Sequence, residues 1–273
     1  MENVNFNVER EKCNQCNACV DDCPRHLIRV VGGFPTLPTE QESRCIACQH
    51  CLAVCPTGAV SVLGLDPADS IPLSNVPEVS PEALSTFVRG RRTTRQYRAE
   101  NVDRPLIDRL LTDTAHAPTG GNTCDLTFVV VTDQNKMALL RERLIAELEK
   151  VVATGRALPP FVHEAIDGFR RDGTDEIFRG APHLVFASAG SKAYCGDADV
   201  VIALSYFELL AQSQGLGTTW CDFLKFILDP LPELCEMFGI PPNRPYRAML
   251  FGVPAVHYAR TVQRDTAAKT KVL

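Results

Sequence analysis

The chain has 273 residues, 45% of them hydrophobic, enough for one core of ordinary size plus a small satellite domain. Lys and Arg number 28 against 33 Asp and Glu, and the resulting charge of −5 argues against a nucleic-acid binder held by phosphate contacts. No apolar run approaches membrane-spanning length, and the polar start MENVNFNVEREK lacks a signal-peptide core, so a cytoplasmic protein with no membrane partner and with reduced thiols is expected.

The first elements are two cysteine runs. Cys13, Cys16, Cys19 and Cys23 match Cys45, Cys48, Cys51 and Cys55 at a constant offset of 32, each run reading C-x2-C-x2-C-x3-C and ending in proline, Pro24 or Pro56. A disulfide framework suits a secreted mini-domain, and a zinc site joins two separated C-x2-C pairs. Three thiols at successive offsets of three instead wrap a loop around a compact cube, the spacing of iron–sulfur ligation. In that pattern the fourth cysteine of each run serves the other cluster. One [4Fe–4S] cluster takes Cys13, Cys16, Cys19 and Cys55; its partner takes Cys45, Cys48, Cys51 and Cys23. Between the runs, LIRVVGGFPTL alternates around Gly32-Gly33 as a small hairpin would, and AVSVL after Pro56 supplies a further short strand. Residues 9–63 resemble a two-cluster bacterial ferredoxin, and residues 1–63 form the expected first domain.

Residues 64–80 hold Pro67, Pro72 and Pro77 without a helical period, and read as an extended, semi-stiff connector. Ser80 followed by Pro81 and Glu82 starts a helix and, with it, a second domain over 81–273. Helices are expected near 81–89, 104–115, 134–153, 161–171, 198–214 and 231–238, and strands near 126–132, 182–188, 217–221 and 246–253. The fold class is α+β. The segment 198–214 is apolar on most faces, which implies burial in a core or a subunit interface.

Four stretches of this second domain stand out. RGRRTTRQYR carries five arginines and no acid; Arg91, Arg92 and Arg95 are spaced to converge on one phosphate and its attached ring system. HAPTGGNTCD makes a turn with many free backbone N–H groups. QGLGTTWCDF closes a helix at Gly215 and opens a strand, and FGVPAVHYARTVQR delivers Arg260 and Arg264. Cys124 and Cys221 read as small hydrophobes before they read as reactive thiols.

In order and spacing, RRTTR, APTGGN, APHLVFA, GLGTTW and GVP…R…R resemble the FMN-dependent nitroreductase family over roughly 82–264, so the whole chain resembles a ferredoxin-fused nitroreductase. The resemblance implies FMN with its phosphate on Arg91 and Arg264, Arg92 and Thr93 on phosphate and ribityl oxygens, and Arg95 near N1 and the C2 carbonyl, where a cation stabilises the reduced ring. It implies a homodimer in which Pro118, Thr119, Gly120 and Asn122 reach the flavin from the other subunit, while Trp220, Cys221 and Asp222, running on to Phe223, supply a backbone donor at N5. Where the family often carries Gln-Pro-Trp beyond the Asn, this chain has Cys124-Asp125-Leu126.

Clusters move electrons singly, and no G-x-G-x-x-G follows an expected strand. The sequence therefore reads as an enzyme in which a low-potential one-electron donor such as ferredoxin feeds FMN through two [4Fe–4S] clusters. The acceptor is a small molecule: a nitroaromatic, quinone, activated alkene or organohalide. The alternatives are an electron-transfer module of a larger redox complex and a flavin-binding sensor.

Overall fold

The computed structural model describes residues 4–264 and 268–273. The chain divides into two compact units, Met1–Val79 and Ser80–Leu273.

In the first unit the 32-residue repeat of the sequence is a repeat of backbone. Strand β1 (Asn7–Val8) precedes helix α1 (Ala18–Asp21), a hairpin of β2 (Arg29–Val31) and β3 (Phe34–Thr36), helix α2 (His50–Ala53) and β4 (Val60–Ser61). Residues Gln15 and Asn17 before α1 are left-handed, and so are Ala47 and Gln49 before α2. These bends turn each C-x2-C-x2-C loop back on itself, a conformation that side chains other than glycine adopt only at a cost. His26 and Gly58, each three residues past the last cysteine of its run, are left-handed as well. Antiparallel pairing of β1 with β4 ties the unit's two ends together. Val4, Leu52 and Val62 form its small apolar core. The stretch 64–80 contains two 3-10 turns, Pro67–Asp69 and Leu73–Asn75, and the side chain of Asp66 caps the first by accepting the Ala68 N–H.

The second unit runs α3 (Pro81–Gly90), α4 (Arg104–Thr114), β5 (Leu126–Val131), α5 (Gln134–Ala153), α6 (Pro160–Asp172), β6 (His183–Ala189), α7 (Gly196–Ser213), β7 (Gly217–Trp220), α8 (Asp222–Leu228) and β8 (Tyr246–Gly252). The four strands form one antiparallel sheet in the order β5-β6-β8-β7. Alternation along the strands builds a core on each face. Leu184, Phe186, Ala248 and Leu250 pack with α5, α6 and α8, whereas Val185, Ala187, Met249 and Phe251 pack with α4 and α7. Two helical layers thus enclose an α+β sheet, as the element order implied. The segment expected as a helix at 231–238 is a 3-10 turn over Pro232–Phe238, and α8 takes up residues that follow the expected strand directly.

His183 at the start of β6 is fully buried. Its Nε2 accepts the Val102 N–H at 2.8 Å, so the ring proton sits on Nδ1, which donates to the Val131 carbonyl at 3.2 Å. Burial pushes the imidazole pKa below its ordinary value, against the opposing pull of the Val131 carbonyl and Asp133. The folded state therefore binds this proton less readily than the unfolded chain, and stability is held above the unfolded pKa of about 6.5 and lost as pH falls below it. The expected result is a thermal midpoint that declines from pH 7 to 5.5, with a slope of at most about 1.4 kcal/mol per pH unit from this group. The same acid decline in His183→Gln as in the natural chain would overturn the assignment.

Candidate functional site

The cysteine runs build two cages. Cys23, Cys45, Cys48 and Cys51 line one cavity together with apolar side chains such as Phe6 and Leu27. This joins the fourth cysteine of the first run to the first three of the second. The complementary set is also together: the Cys19 thiol is raised to about 11 by burial first, and then by the charges of Cys55, Cys13 and Cys16. Burial likewise raises Cys51 to about 12, with Cys48 and Cys45 adding to it. Thiolates so placed need a cation, and a bound metal would supply it. Equivalent N–H donors four residues on point at the crossing cysteines, Leu27 N–H to Cys23 Sγ at 3.4 Å and Ala59 N–H to Cys55 Sγ at 3.2 Å. Hydrogen bonds of this kind tune cluster potential. All eight cysteines are free, and both sets fit a [4Fe–4S] cube by ligand type and number.

In the second unit the arginine run is laid along the sheet edge. The Thr94 N–H donates to the Thr218 carbonyl at 2.9 Å, Thr93 bridges Thr218 in parallel, and the Thr219 hydroxyl donates to the Thr94 carbonyl. The Tyr97 hydroxyl reaches Thr219 Oγ1 at 2.9 Å. Gly217 is required here, because a Cβ would lie 2.5 Å from Thr94 Oγ1. This lacing fixes where each arginine goes. Arg91 and Arg92 line a cavity of about 300 Å³ with Gln212, Thr218 and Tyr258. Thr93 and Arg95 line a second, of about 340 Å³, with Trp220, Cys221, Asp222 and Phe223. Each is of the size that takes a small ligand or one end of a longer one. Arg95 therefore opens into a different cavity from Arg91 and Arg92: from Arg92 to Arg95 successive side chains of the extended segment alternate between the two cavities, and Arg91, the C-cap residue of α3, joins Arg92.

Two polar atoms in the first cavity are buried without a protein partner, Arg92 Nε and Gln212 Oε1. Buried polar groups are almost always satisfied, so this donor and acceptor fit a polar ligand. Arg91 is engaged with buried Glu208, Nη1 to Oε1 at 3.1 Å, and the Thr218 hydroxyl donates to the same oxygen at 3.3 Å. Helix α7 supplies a second buried acid, Asp199, whose Oδ1 accepts the Gly120 N–H at 2.9 Å. The loop 118–122 is thereby held against the start of α7. It is tight there, since a Cβ on Gly120 would meet Cys195 Sγ at 2.7 Å and one on Gly121 the Tyr194 ring at 2.7 Å. Pro118, Thr119, Gly120 and Asn122 line neither cavity, and neither do Arg260 and Arg264, which are exposed. The tail carrying those two arginines is tied to the arginine strand by the Tyr258 hydroxyl, 3.2 Å from the Thr93 carbonyl.

Cys221 is not a reactive thiol. It is buried, its pKa is pushed to about 12 by that burial, and its Sγ donates to the Ile177 carbonyl. Its N–H is also engaged, with the Ala248 carbonyl at 2.9 Å. Within the segment 220–223, Asp222 and Phe223 have N–H groups that open α8 and have no intrahelical acceptor. Cys124 is exposed and left-handed.

An antiparallel four-stranded sheet between two helical layers, edged by an arginine-bearing strand and preceded by a two-cage cysteine unit, defines a fused redox protein. Residues 88–253 match the nitroreductase family and residues 12–59 match the 4Fe-4S dicluster domain. The chain belongs to the nitroreductase family, with an N-terminal ferredoxin-type domain that marks two [4Fe–4S] clusters. Among solved structures, a nitroreductase with bound FMN from Bacteroides fragilis superposes with a TM-score of 0.56 at 22% identity, covering 70% of this chain and 100% of that one. A second, from Desulfitobacterium hafniense and also with bound FMN, gives 0.54 at 20% identity over 71% and 100%. No curated protein matches. Among the described residues no helix is long and apolar enough to cross a membrane.

Proposed function

We propose that the protein is a cytoplasmic, ferredoxin-linked flavin oxidoreductase. Low-potential electrons enter through the two clusters, pass to FMN, and reduce a small organic acceptor such as a nitroaromatic, quinone or activated alkene. The observation that carries this reading is the arginine strand, which presents Arg91 and Arg92 to one cavity and Thr93 and Arg95 to its neighbour. FMN has this polarity, with a dianionic phosphate at one end and a ring that gains negative charge on reduction at the other. Arg92 Nε and Gln212 Oε1 are the buried groups a phosphate or ribityl chain would satisfy. Arg95 lies on the ring side, where its charge favours the reduced flavin. Bound flavin accepts one or two electrons and so joins single-electron clusters to two-electron organic chemistry.

The loop 118–122 and the tail arginines line neither cavity of their own chain. A second copy that brings Pro118–Asn122 to the flavin edge gives them a role, and a homodimer with two flavins follows. Arg260 and Arg264 would then complete the phosphate site on ligand binding.

The test compares donors. Reduced ferredoxin should drive acceptor reduction by the full chain far faster than NADH or NADPH does. The second unit alone, Ser80–Leu273, has its own two-sided core; it should bind FMN and react when its flavin is reduced chemically. NADPH driving that unit as fast as any donor drives the full chain would exclude the clusters as the entry route.

A further inference from the structure

Arg179 has no part in the flavin assignment, yet it stands in the ring-side cavity beside Arg95, Trp220 and Phe223. It is held there at a cost. Its φ is +53°, in the left-handed region that a long side chain rarely adopts, and Gly180 follows at +69°. The turn that imposes this is clamped from behind. Asp175 Oδ1 accepts the Phe178 N–H at 2.8 Å and Oδ2 the Gly180 N–H at 3.0 Å, while Arg141 Nε pairs with Asp175 Oδ2 at 2.7 Å in a largely buried contact. Strain that the surroundings overdetermine in this way collects at ligand sites.

The result is a guanidinium lying over the Phe223 ring, 5.7 Å from its centroid. Glu176 pairs with it at 2.5 Å, but that carboxylate is 43% exposed. With the Arg179 side chain 29% exposed the pair is partly solvated, and it engages Nη1 and leaves the other donors of the planar fork for the cavity. Asp222 is the acid lining the cavity, against the two arginines Arg95 and Arg179. Phe223 and the half-exposed Phe226 add an aromatic wall, both rings packing on Phe161 at 4.9 and 6.3 Å.

We infer that the acceptor is an aromatic anion, with Arg179 binding its carboxylate or an equivalent oxyanion and the Phe223–Phe226 wall facing its ring. This rests on the proposed flavin reading, since Arg95 is spent on the flavin and Arg179 is the cation that remains for the substrate.

The test uses the flavin-loaded full chain, chemically reduced, with 4-nitrobenzoate and its neutral isostere 4-nitrobenzamide. In either, two electrons from the flavin and two protons convert the nitro group to nitroso and water. The nitrobenzoate should be preferred in kcat/KM by about tenfold, the scale of one charge-assisted contact. Arg179→Gln should remove that preference through KM, leaving nitrobenzamide within about twofold, and Arg179→Lys should restore part of it. Equal use of both compounds by the natural protein, or an equal loss of both in Arg179→Gln, would overturn the inference; the second outcome would make Arg179 a brace of the turn. Binding provides a readout free of turnover. Benzoate should perturb the fluorescence of Trp220, the chain's only tryptophan and a cavity residue, at lower concentration than benzamide does, and only while Arg179 is present. If neither nitro compound reoxidises the flavin but benzoate still binds selectively, the acceptor chemistry fails and the anion site stands. Benzoate binding no better than benzamide sinks the anion site whatever the turnover.

Discussion

Cys48→Ala, prepared anaerobically, is expected to lose at least half of the iron of the natural protein, from about eight atoms per chain to about four or fewer, and essentially all ferredoxin-driven turnover. The reason is geometric. Cys48 shares one cavity with Cys45, Cys51 and the crossing ligand Cys23, so its removal leaves a cube with three thiolates and an open corner. Burial already holds Cys51 well above the usual thiol range, and with less metal charge nearby it returns to the neutral thiol. The damage should stop at the cysteine unit. FMN content and the reaction of chemically reduced flavin should match the natural protein, because the second unit has its own cores. Iron, acid-labile sulfide and flavin assays on the same sample decide the matter. A full complement of iron in Cys48→Ala, or zinc in place of iron in the natural protein, would remove the basis for the electron entry route.

The cysteine unit was legible because its signal is covalent in kind: ligand spacing repeats at 32 residues, and the left-handed residues at 15, 17, 47 and 49 repeat with it. The second unit's sheet was legible from apolar runs such as HLVFASA and YRAMLFG, which are buried along nearly their whole length. What escaped was local or nonlocal in ways that periodicity does not record. Helix α8 is only seven residues and follows the expected strand directly, after Cys221. The two-residue strand β1 exists only because β4 comes to meet it. Arg179 gave no signal of its own, because its place depends on Asp175 and Arg141, the latter 38 positions upstream. Glu208 could have been found. An acid inside the apolar stretch ALSYFELLAQ must be paired if that face is buried, and the acid-free arginine run at 89–98, though 117 positions from it at Arg91, was a source of a partner. Seeing it would have shown that Arg91 is shared between an internal carboxylate and any ligand.

That sharing sets the last expectation, for Arg91→Ala. Arg91 and Glu208 are mostly buried, with side chains 26% and 10% exposed, and lie 3.1 Å apart. Removing one partner of a buried pair leaves the other desolvated and alone, at about 3–5 kcal/mol in fully buried cases and less here, where Arg91 keeps some water. Arg91→Ala should therefore do two separable things. It should lower the unfolding midpoint of the flavin-free protein, and it should weaken FMN retention by about tenfold or more through loss of a charge-assisted phosphate contact. Adding Glu208→Gln to Arg91→Ala removes the stranded charge while keeping an acceptor for the Thr218 hydroxyl. The double variant should recover the midpoint and still fail to hold FMN. Glu208→Gln alone, with Arg91 present and no longer neutralised, should bind FMN at least as tightly as the natural chain. A thermal melt and a flavin titration on the four proteins close the cycle. If Arg91→Ala/Glu208→Gln retains FMN like the natural protein, then Arg91 is a structural cation of α7 and the phosphate lies elsewhere along the arginine strand.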